Sequence, residues 1–158
     1  MLTVGFNHVA TLTNDAARLH RFYEEVFDAE VVRDGPEIEG DEAVRLSVVR
    51  IGPWAELNVF QVEGNTEAER QAPMFGRGRL DHFALQAAST EAFETIRERL
   101  IARGASDAFV TDFGPVLSVF FRDPDGLEGE VCVANPDAVP GVTNPPGTPA
   151  TRYVVTDG

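Results

Sequence analysis

The stretch Leu80-Asp81-His82-Phe83-Ala84 repeats a pattern found 74 positions earlier, at Phe6-Asn7-His8-Val9-Ala10. Both are short apolar runs with a histidine at the same point, which is typical of a strand. Glu56 and Glu130 are also 74 residues apart. Agreement of a histidine, a glutamate and the surrounding pattern at one spacing predicts that the chain is a tandem duplication.

Each half also contains one amphipathic helix. Apolar residues recur at helical spacing in both halves, and the two apolar stripes superpose at the same shift. The stripes consist of Leu19, Phe22, Tyr23, Val26 and Phe27, and of Phe93, Ile96, Leu100 and Ile101. Asn14 and Ser89 precede these stripes and are the predicted N-caps.

Runs rich in β-forming residues flank both helices. The predicted strands cover residues 6–12, 44–51, 54–62, 80–85, 116–122 and 127–134. Turns are predicted at Gly52-Pro53 and at Asp123-Pro124-Asp125-Gly126. The sequence therefore predicts an α+β fold of two tandem βαβββ modules. Module one covers residues 4–62, a connector covers 63–79 and module two covers 80–134.

Composition limits the function. The chain has 158 residues, of which 26 are acidic and 13 basic, so its formal charge is -13. Such a surface repels phosphates, which argues against nucleic acid or an anionic membrane as partner. A single cysteine, Cys132, excludes an intramolecular disulfide. No apolar run reaches the ~20 residues of a membrane span, and no signal sequence is apparent, so a cytoplasmic protein is expected.

The last part of the chain differs in composition. Five of the ten prolines lie after Asn135. Residues 135–158 are therefore predicted to be a Pro/Gly-rich C-terminal tail that runs over the surface or over a neighbouring subunit.

Two histidines and two glutamates are the candidate metal ligands. If a pseudo-twofold axis relates the modules, the side chains of His8, Glu56, His82 and Glu130 converge on it. Nitrogen and oxygen donors of this kind suit a divalent Zn, Ni, Co, Fe or Mn ion. Strand alternation alone leaves open whether the two glutamates instead face water. The third histidine, His20, has no counterpart at the repeat spacing, so no ligand role is expected for it.

The sequence resembles the vicinal oxygen chelate superfamily, which includes glyoxalase I, epimerases, extradiol dioxygenases and resistance proteins for fosfomycin and bleomycin. The resemblance rests on the two histidine stretches, the helix with Phe22-Tyr23, and the Phe121–Gly126 run followed by Glu130. It covers residues ~4–134 and implies a curved, mostly antiparallel sheet around a metal cleft, in a homodimer. The site is then formed within one chain or shared across the dimer.

The resemblance also implies roles for the ligands. His8, Glu56, His82 and Glu130 match the four ligand positions of glyoxalase I. Glu130 would be the base that removes a proton next to a metal-chelated carbonyl, with Glu56 as its counterpart. This favours a glyoxalase-type lyase or isomerase. The alternatives are an extradiol-type dioxygenase using His8, His82 and Glu130, and a resistance protein that binds a drug without chemistry.

Further residues are expected around the site. Strand alternation places Phe6, Trp54 and Asn58 on the face of the predicted ligands, and Phe120 is expected to line the cleft. Family dioxygenases often carry a tyrosine hydroxyl where Phe120 stands, and its absence weakens that alternative. The basic and amide residues typical of glutathione-using glyoxalases are missing after His8 and Glu56, so another thiol, a CoA ester or a small keto acid is as suitable. Arg77 and Arg79 are candidate contacts for an anionic substrate, although solvated loop charges are the simpler interpretation.

Overall fold

The structure is a computed structural model that describes residues 2, 5–72, 76, 78 and 80–143. The chain divides into two compact units, Met1–Gln71 with Pro124–Gly126, and Ala72–Asp123 with Leu127–Gly158. The first unit contains β1 (His8–Thr13), α1 (Ala16–Phe27), β2 (Glu30–Ile38), β3 (Asp41–Gly52), β4 (Ala55–Val62) and a 3₁₀ turn (Glu67–Glu69). The second contains β5 (Phe83–Gln86), α2 (Thr90–Ala102), β6 (Val110–Asp112), β7 (Val116–Arg122) and β8 (Glu128–Ala134).

Each unit has one four-stranded sheet, and the two sheets have the same topology. The strand order is β1-β4-β3-β2 in the first and β5-β8-β7-β6 in the second. In both, the first and last strands of the module pair in parallel, and the other neighbouring strands are antiparallel. The predicted α+β fold of tandem βαβββ modules is therefore confirmed.

The helices lie where the apolar stripes predict them. In α1, Leu19, Tyr23 and Val26 are completely buried, and α1 packs on β2, β3 and β4. In α2, Phe93 and Leu100 are buried, and the helix packs on β8. Burial of these side chains removes their apolar surface from water, which is the main force holding each helix to its sheet.

The helix starts are set by side-chain caps. Ser89 caps α2 as predicted, because its hydroxyl accepts a hydrogen bond from the Ala92 backbone N–H at 3.2 Å. The prediction of Asn14 as the cap of α1 is wrong by one residue. Asp15 takes that position and accepts from the Arg18 N–H at 2.9 Å.

Three residues predicted to lie in strands lie just outside them. Phe6 precedes β1, and His82 precedes β5 by one residue. Trp54 lies with Pro53 in the two-residue turn between Gly52 and Ala55, which pair with each other across the hairpin. Proline has no N–H to donate to a sheet ladder, which favours the end of β3 at this point.

Neither α1 nor α2 is long and apolar enough to span a membrane, and the described residues contain no other α-helix. Of the C-terminal tail, only the part up to residue 143 belongs to the described residues. In that part, the Asn135 side chain donates to the Gly114 carbonyl at 2.7 Å.

Candidate metal centre

In the second unit, His82 lies beside Glu130. Glu130 is on β8, where it pairs with Ala84 of β5, two residues after His82. The Nε2 atom of His82 is 3.6 Å from Oε2 of Glu130. The Glu130 side chain is 11% exposed, and its other oxygen, Oε1, accepts a hydrogen bond from the Ser118 hydroxyl. We call His82 and Glu130 the second half-site.

The ring of His82 is held from two sides. Its Nδ1 atom is 3.0 Å from Oδ2 of Asp81. Since a carboxylate only accepts, a neutral His82 donates from Nδ1 and keeps its lone pair on Nε2. The ring also makes an edge contact with Phe120, with centroids 5.6 Å apart. Phe120 pairs with Glu130 across β7 and β8, so the three side chains share one face.

Cys132 adds a thiol to this group. It follows Glu130 by two residues on β8, and it pairs with Ser118 of β7. Burial, and then the charge and hydrogen bonding of Glu130, raise the pKa of the Cys132 thiol to about 12. The thiol is therefore protonated at neutral pH, and it acts as a hydrogen-bond donor toward Glu130.

In the first unit, His8 and Glu56 are partners in the parallel register of β1 and β4. We call these two residues the first half-site. Nδ1 of His8 is 2.8 Å from Oδ1 of Asn7, so this ring too is left with its lone pair on Nε2. The imidazole is exposed to solvent.

Glu56 has a basic neighbour. Its Oε1 is 3.6 Å from Nε of Arg50, the residue opposite it on β3. Arg50 also approaches Glu30 of β2, at 3.5 Å. The Glu56 side chain is 28% exposed, so it lies between the core and solvent rather than projecting fully into water.

The residues of the second half-site fit a divalent cation. An unprotonated Nε2 and a carboxylate oxygen face each other at 3.6 Å, and neither carries a proton to share when the histidine is neutral. A cation between them satisfies both lone pairs, and nitrogen with oxygen is the donor set of borderline metals. Among residues 5–72 and 80–143, no three His, Cys, Asp or Glu side chains gather in a metal-binding group. Each unit thus supplies one pair from the predicted four.

The other predicted site residues differ in exposure. Phe6 is 89% exposed and Trp54 is 84% exposed. Asn58 is half-buried on β4, where it pairs with Ala10, and Phe120 is buried. Arg77 and Arg79 lie outside the described residues.

Sequence reasoning missed three polar residues around the histidines and Glu130, namely Asn7, Asp81 and Ser118. The signal for two of them was present. Asn7 and Asp81 immediately precede the repeated histidines at the 74-residue spacing, and both side chains are hydrogen-bond acceptors. Ser118 became visible only through the pairing of β7 with β8.

The fold and the half-sites define a class of protein built from paired βαβββ modules, with a metal-ligating histidine at the start of each. A family model for the glyoxalase/bleomycin resistance protein/dioxygenase superfamily matches residues 5–131. The chain belongs to this superfamily, as the sequence resemblance indicated. A comparison with curated proteins finds no match.

Solved structures with this fold support the assignment. A glyoxylase/bleomycin resistance protein/dioxygenase domain from Frankia sp. EAN1pec is 20% identical, with a TM-score of 0.68, over 85% of this chain and 95% of that one. The fosfomycin resistance protein FosX from Listeria monocytogenes, in complex with Mn(II) and sulfate, is 17% identical, with a TM-score of 0.58, over 85% and 95%. Lactoylglutathione lyase from Agrobacterium tumefaciens is 20% identical, with a TM-score of 0.57, over 84% and 96%. At these identities the likeness establishes the fold.

Proposed function

We propose that this protein is a metal-dependent lyase or isomerase of the glyoxalase type, which moves a proton next to a carbonyl group of a small molecule. The observation that carries the proposal is the second half-site. There, an imidazole oriented by Asp81 presents Nε2 to a carboxylate whose other oxygen is held by Ser118. Metal ligands and general bases both need such orientation by neighbouring groups.

The ligands proposed for a divalent Zn, Ni, Co, Fe or Mn ion are His8, His82 and Glu130, with Glu56 as the fourth candidate from its spacing in the sequence. The two half-sites would combine within one chain or between the chains of a homodimer. When bound, the ion supplies Lewis-acid stabilisation of the negative charge that develops on a substrate carbonyl oxygen.

Glu130 is the proposed base. Its Oε1 accepts from Ser118, which leaves Oε2, on the His82 side, as the oxygen that takes the proton. The Cys132 thiol, protonated at neutral pH, adds a donor and introduces no competing charge. A base positioned in this way typically contributes 10²–10⁴-fold to the rate.

Phe120 favours proton transfer over an extradiol-type reaction. Its ring lies against His82 and carries no hydroxyl to assist oxygen chemistry. A dioxygenase would consume O₂ with a catechol, whereas the proposed enzyme would turn over equally well without O₂. A drug-binding protein, in turn, would keep its ligand affinity after Glu130→Gln. A homodimer in the cytoplasm remains the predicted form and location.

The test is metal analysis followed by proton exchange. We expect purified protein to bind one divalent ion per site, and the loaded protein to catalyse deuterium incorporation from D₂O next to the carbonyl of 2-oxo acids or thiohemiacetals, followed by NMR. Glu130→Gln should lower this rate at least ~100-fold, in line with the loss of a general base. The matched control is Glu98→Gln, an exposed glutamate of α2. Absence of metal affinity, or an unchanged rate in Glu130→Gln, would contradict the proposal.

A further inference from the structure

An arginine–glutamate pair recurs in the two sheets. Arg50 of β3 pairs with Glu56 of β4, and their side chains approach to 3.6 Å. Arg122 of β7 pairs with Glu128 of β8, and their side chains approach to 4.0 Å. Arg50 and Arg122 are 72 residues apart, as are Glu56 and Glu128. The structural counterpart of Glu56 is therefore Glu128, which is completely buried beside its arginine.

The parallel strand pairs lead to the same alignment. The residue two positions after His82 is Ala84, and it pairs with Glu130. The residue two positions after His8 is Ala10, and it pairs with Asn58. Asn58 thus lies, relative to its histidine, where Glu130 lies in the second unit.

The antiparallel pairs agree as well. Val48 lies opposite Asn58, and Phe120 lies opposite Glu130. Val48 and Phe120 are again 72 residues apart. Three strands of each sheet therefore assign the same pair of equivalent positions, although the first strands of the two modules align at 74.

We infer that the side-chain amide of Asn58, and not the carboxylate of Glu56, occupies the metal-facing position of the first unit. The inference rests on the proposed function, because it concerns the same centre. Glu56 is instead a cross-strand partner of Arg50, which also approaches Glu30. Asn58 is half-buried and makes no side-chain hydrogen bond to any other described residue.

The exchange of a carboxylate for an amide changes the charge of the centre. Two imidazoles, one carboxylate and one amide oxygen leave a divalent ion with one net positive charge, whereas a second carboxylate would neutralise it. Unlike charges attract more strongly in a partly buried site than in bulk water. The centre therefore selects substrates that bring an anionic oxygen, such as a carboxylate, to it.

Metal titration distinguishes the two candidate ligands. Metal-free protein is titrated with Mn(II) and Co(II) by calorimetry, for the wild type, Glu56→Gln, Asn58→Ala, Glu130→Gln and the control Glu98→Gln. We expect Glu56→Gln and the control to stay within about threefold of wild type, and Asn58→Ala to bind about tenfold more weakly. The Co(II) absorption bands should shift in Asn58→Ala and remain unchanged in Glu56→Gln.

Outcomes for the two ideas are separable. If wild type binds no metal, the proposed function fails. If metal binds, but Glu56→Gln weakens it as much as Glu130→Gln while Asn58→Ala does not, the inference alone is overturned. Arg50→Gln is a second variant in case Glu56→Gln folds poorly. It breaks the same ion pair, and should lower the melting temperature of metal-free protein without changing metal affinity.

Substrate charge gives an independent readout. Pyruvate and the neutral 2,3-butanedione are compared as probes that perturb the Co(II) spectrum of the loaded protein. We expect pyruvate to bind at least tenfold more tightly. Equal affinities, or tighter binding of the diketone, would contradict the single-carboxylate centre.

Discussion

Asp81 accepts a hydrogen bond from His82, with Oδ2 3.0 Å from Nδ1 of the ring. The same relationship recurs between Asn7 and His8, at 2.8 Å. In both units the residue that precedes the histidine therefore sets which ring nitrogen keeps its lone pair. The acceptor is charged in the second unit and neutral in the first, so the imidazole of His82 is the more strongly polarised ligand.

Removal of this acceptor should weaken metal binding. In Asp81→Ala the ring of His82 loses both its orientation and its preferred tautomer, and we expect the affinity for a divalent ion to fall about 10–100-fold. Calorimetric titration of metal-free protein measures the change. Asp137→Ala, which removes an exposed carboxylate after β8, is the control and should leave the affinity unaltered. An equal affinity in Asp81→Ala would show that the contact does not position the ligand.

A second prediction concerns packing beneath Glu130. A Cβ added at Gly129 would overlap the ring of Phe121, which is completely buried on the neighbouring strand. We expect Gly129→Ala to lower the free energy of unfolding by about 1–3 kcal/mol, because a rigid ring has nowhere to move. In a double-mutant cycle with Phe121→Leu, the smaller side chain should relieve part of this cost. Strictly additive effects in denaturant unfolding would contradict the overlap.

Asp125 anchors its turn within the first unit. The Thr13 hydroxyl donates to Asp125 at 2.6 Å, and Arg18 donates at 2.7 Å. The Asp125 side chain is 3% exposed. Asp125→Ala leaves the buried Thr13 hydroxyl without this acceptor, and we expect a loss of about 1–3 kcal/mol in denaturant unfolding. Asp125→Asn keeps an acceptor oxygen and should lose less; an equal loss in both variants would argue against the hydrogen bond as the cause.

His20 should make stability depend on pH. Burial lowers its pKa from the ordinary 6.5, and the charge of Arg45 acts in the same direction, while Asp34, Glu24 and Asp15 oppose it. Its Nε2 is buried without a hydrogen-bond partner among the described residues.

The sign follows from proton uptake. Below pH 6.5 the unfolded chain binds a proton that the folded His20 resists, so stability is full above 6.5 and is lost as the pH falls through the folded pKa. His20→Phe, which cannot titrate, should flatten this slope between pH 5 and 7 in denaturant unfolding. An unchanged slope would assign the pH dependence to other groups.

The sequence by itself determined the duplication, the α+β class and both histidine positions. These features depend on local pattern: apolar stripes at helical spacing, a Ser89 cap, and histidines repeated within similar strands. Such signals act within a few residues, so they survive without knowledge of the rest of the fold. The repeat spacing also led to Glu56, because 74 was the spacing of the histidines.

Only the tertiary structure decided which residue of β4 corresponds to Glu130. The strand pairing shifts by two residues between the start and the end of the module, and a two-residue shift keeps every side chain on its face. Hydrophobic alternation is therefore blind to it, and Glu56 and Asn58 are equally acceptable to the sequence pattern. The pairing of Arg50 with Glu56, and of Arg122 with Glu128, distinguishes them, because cross-strand partners are set by contacts between segments that are distant in the chain.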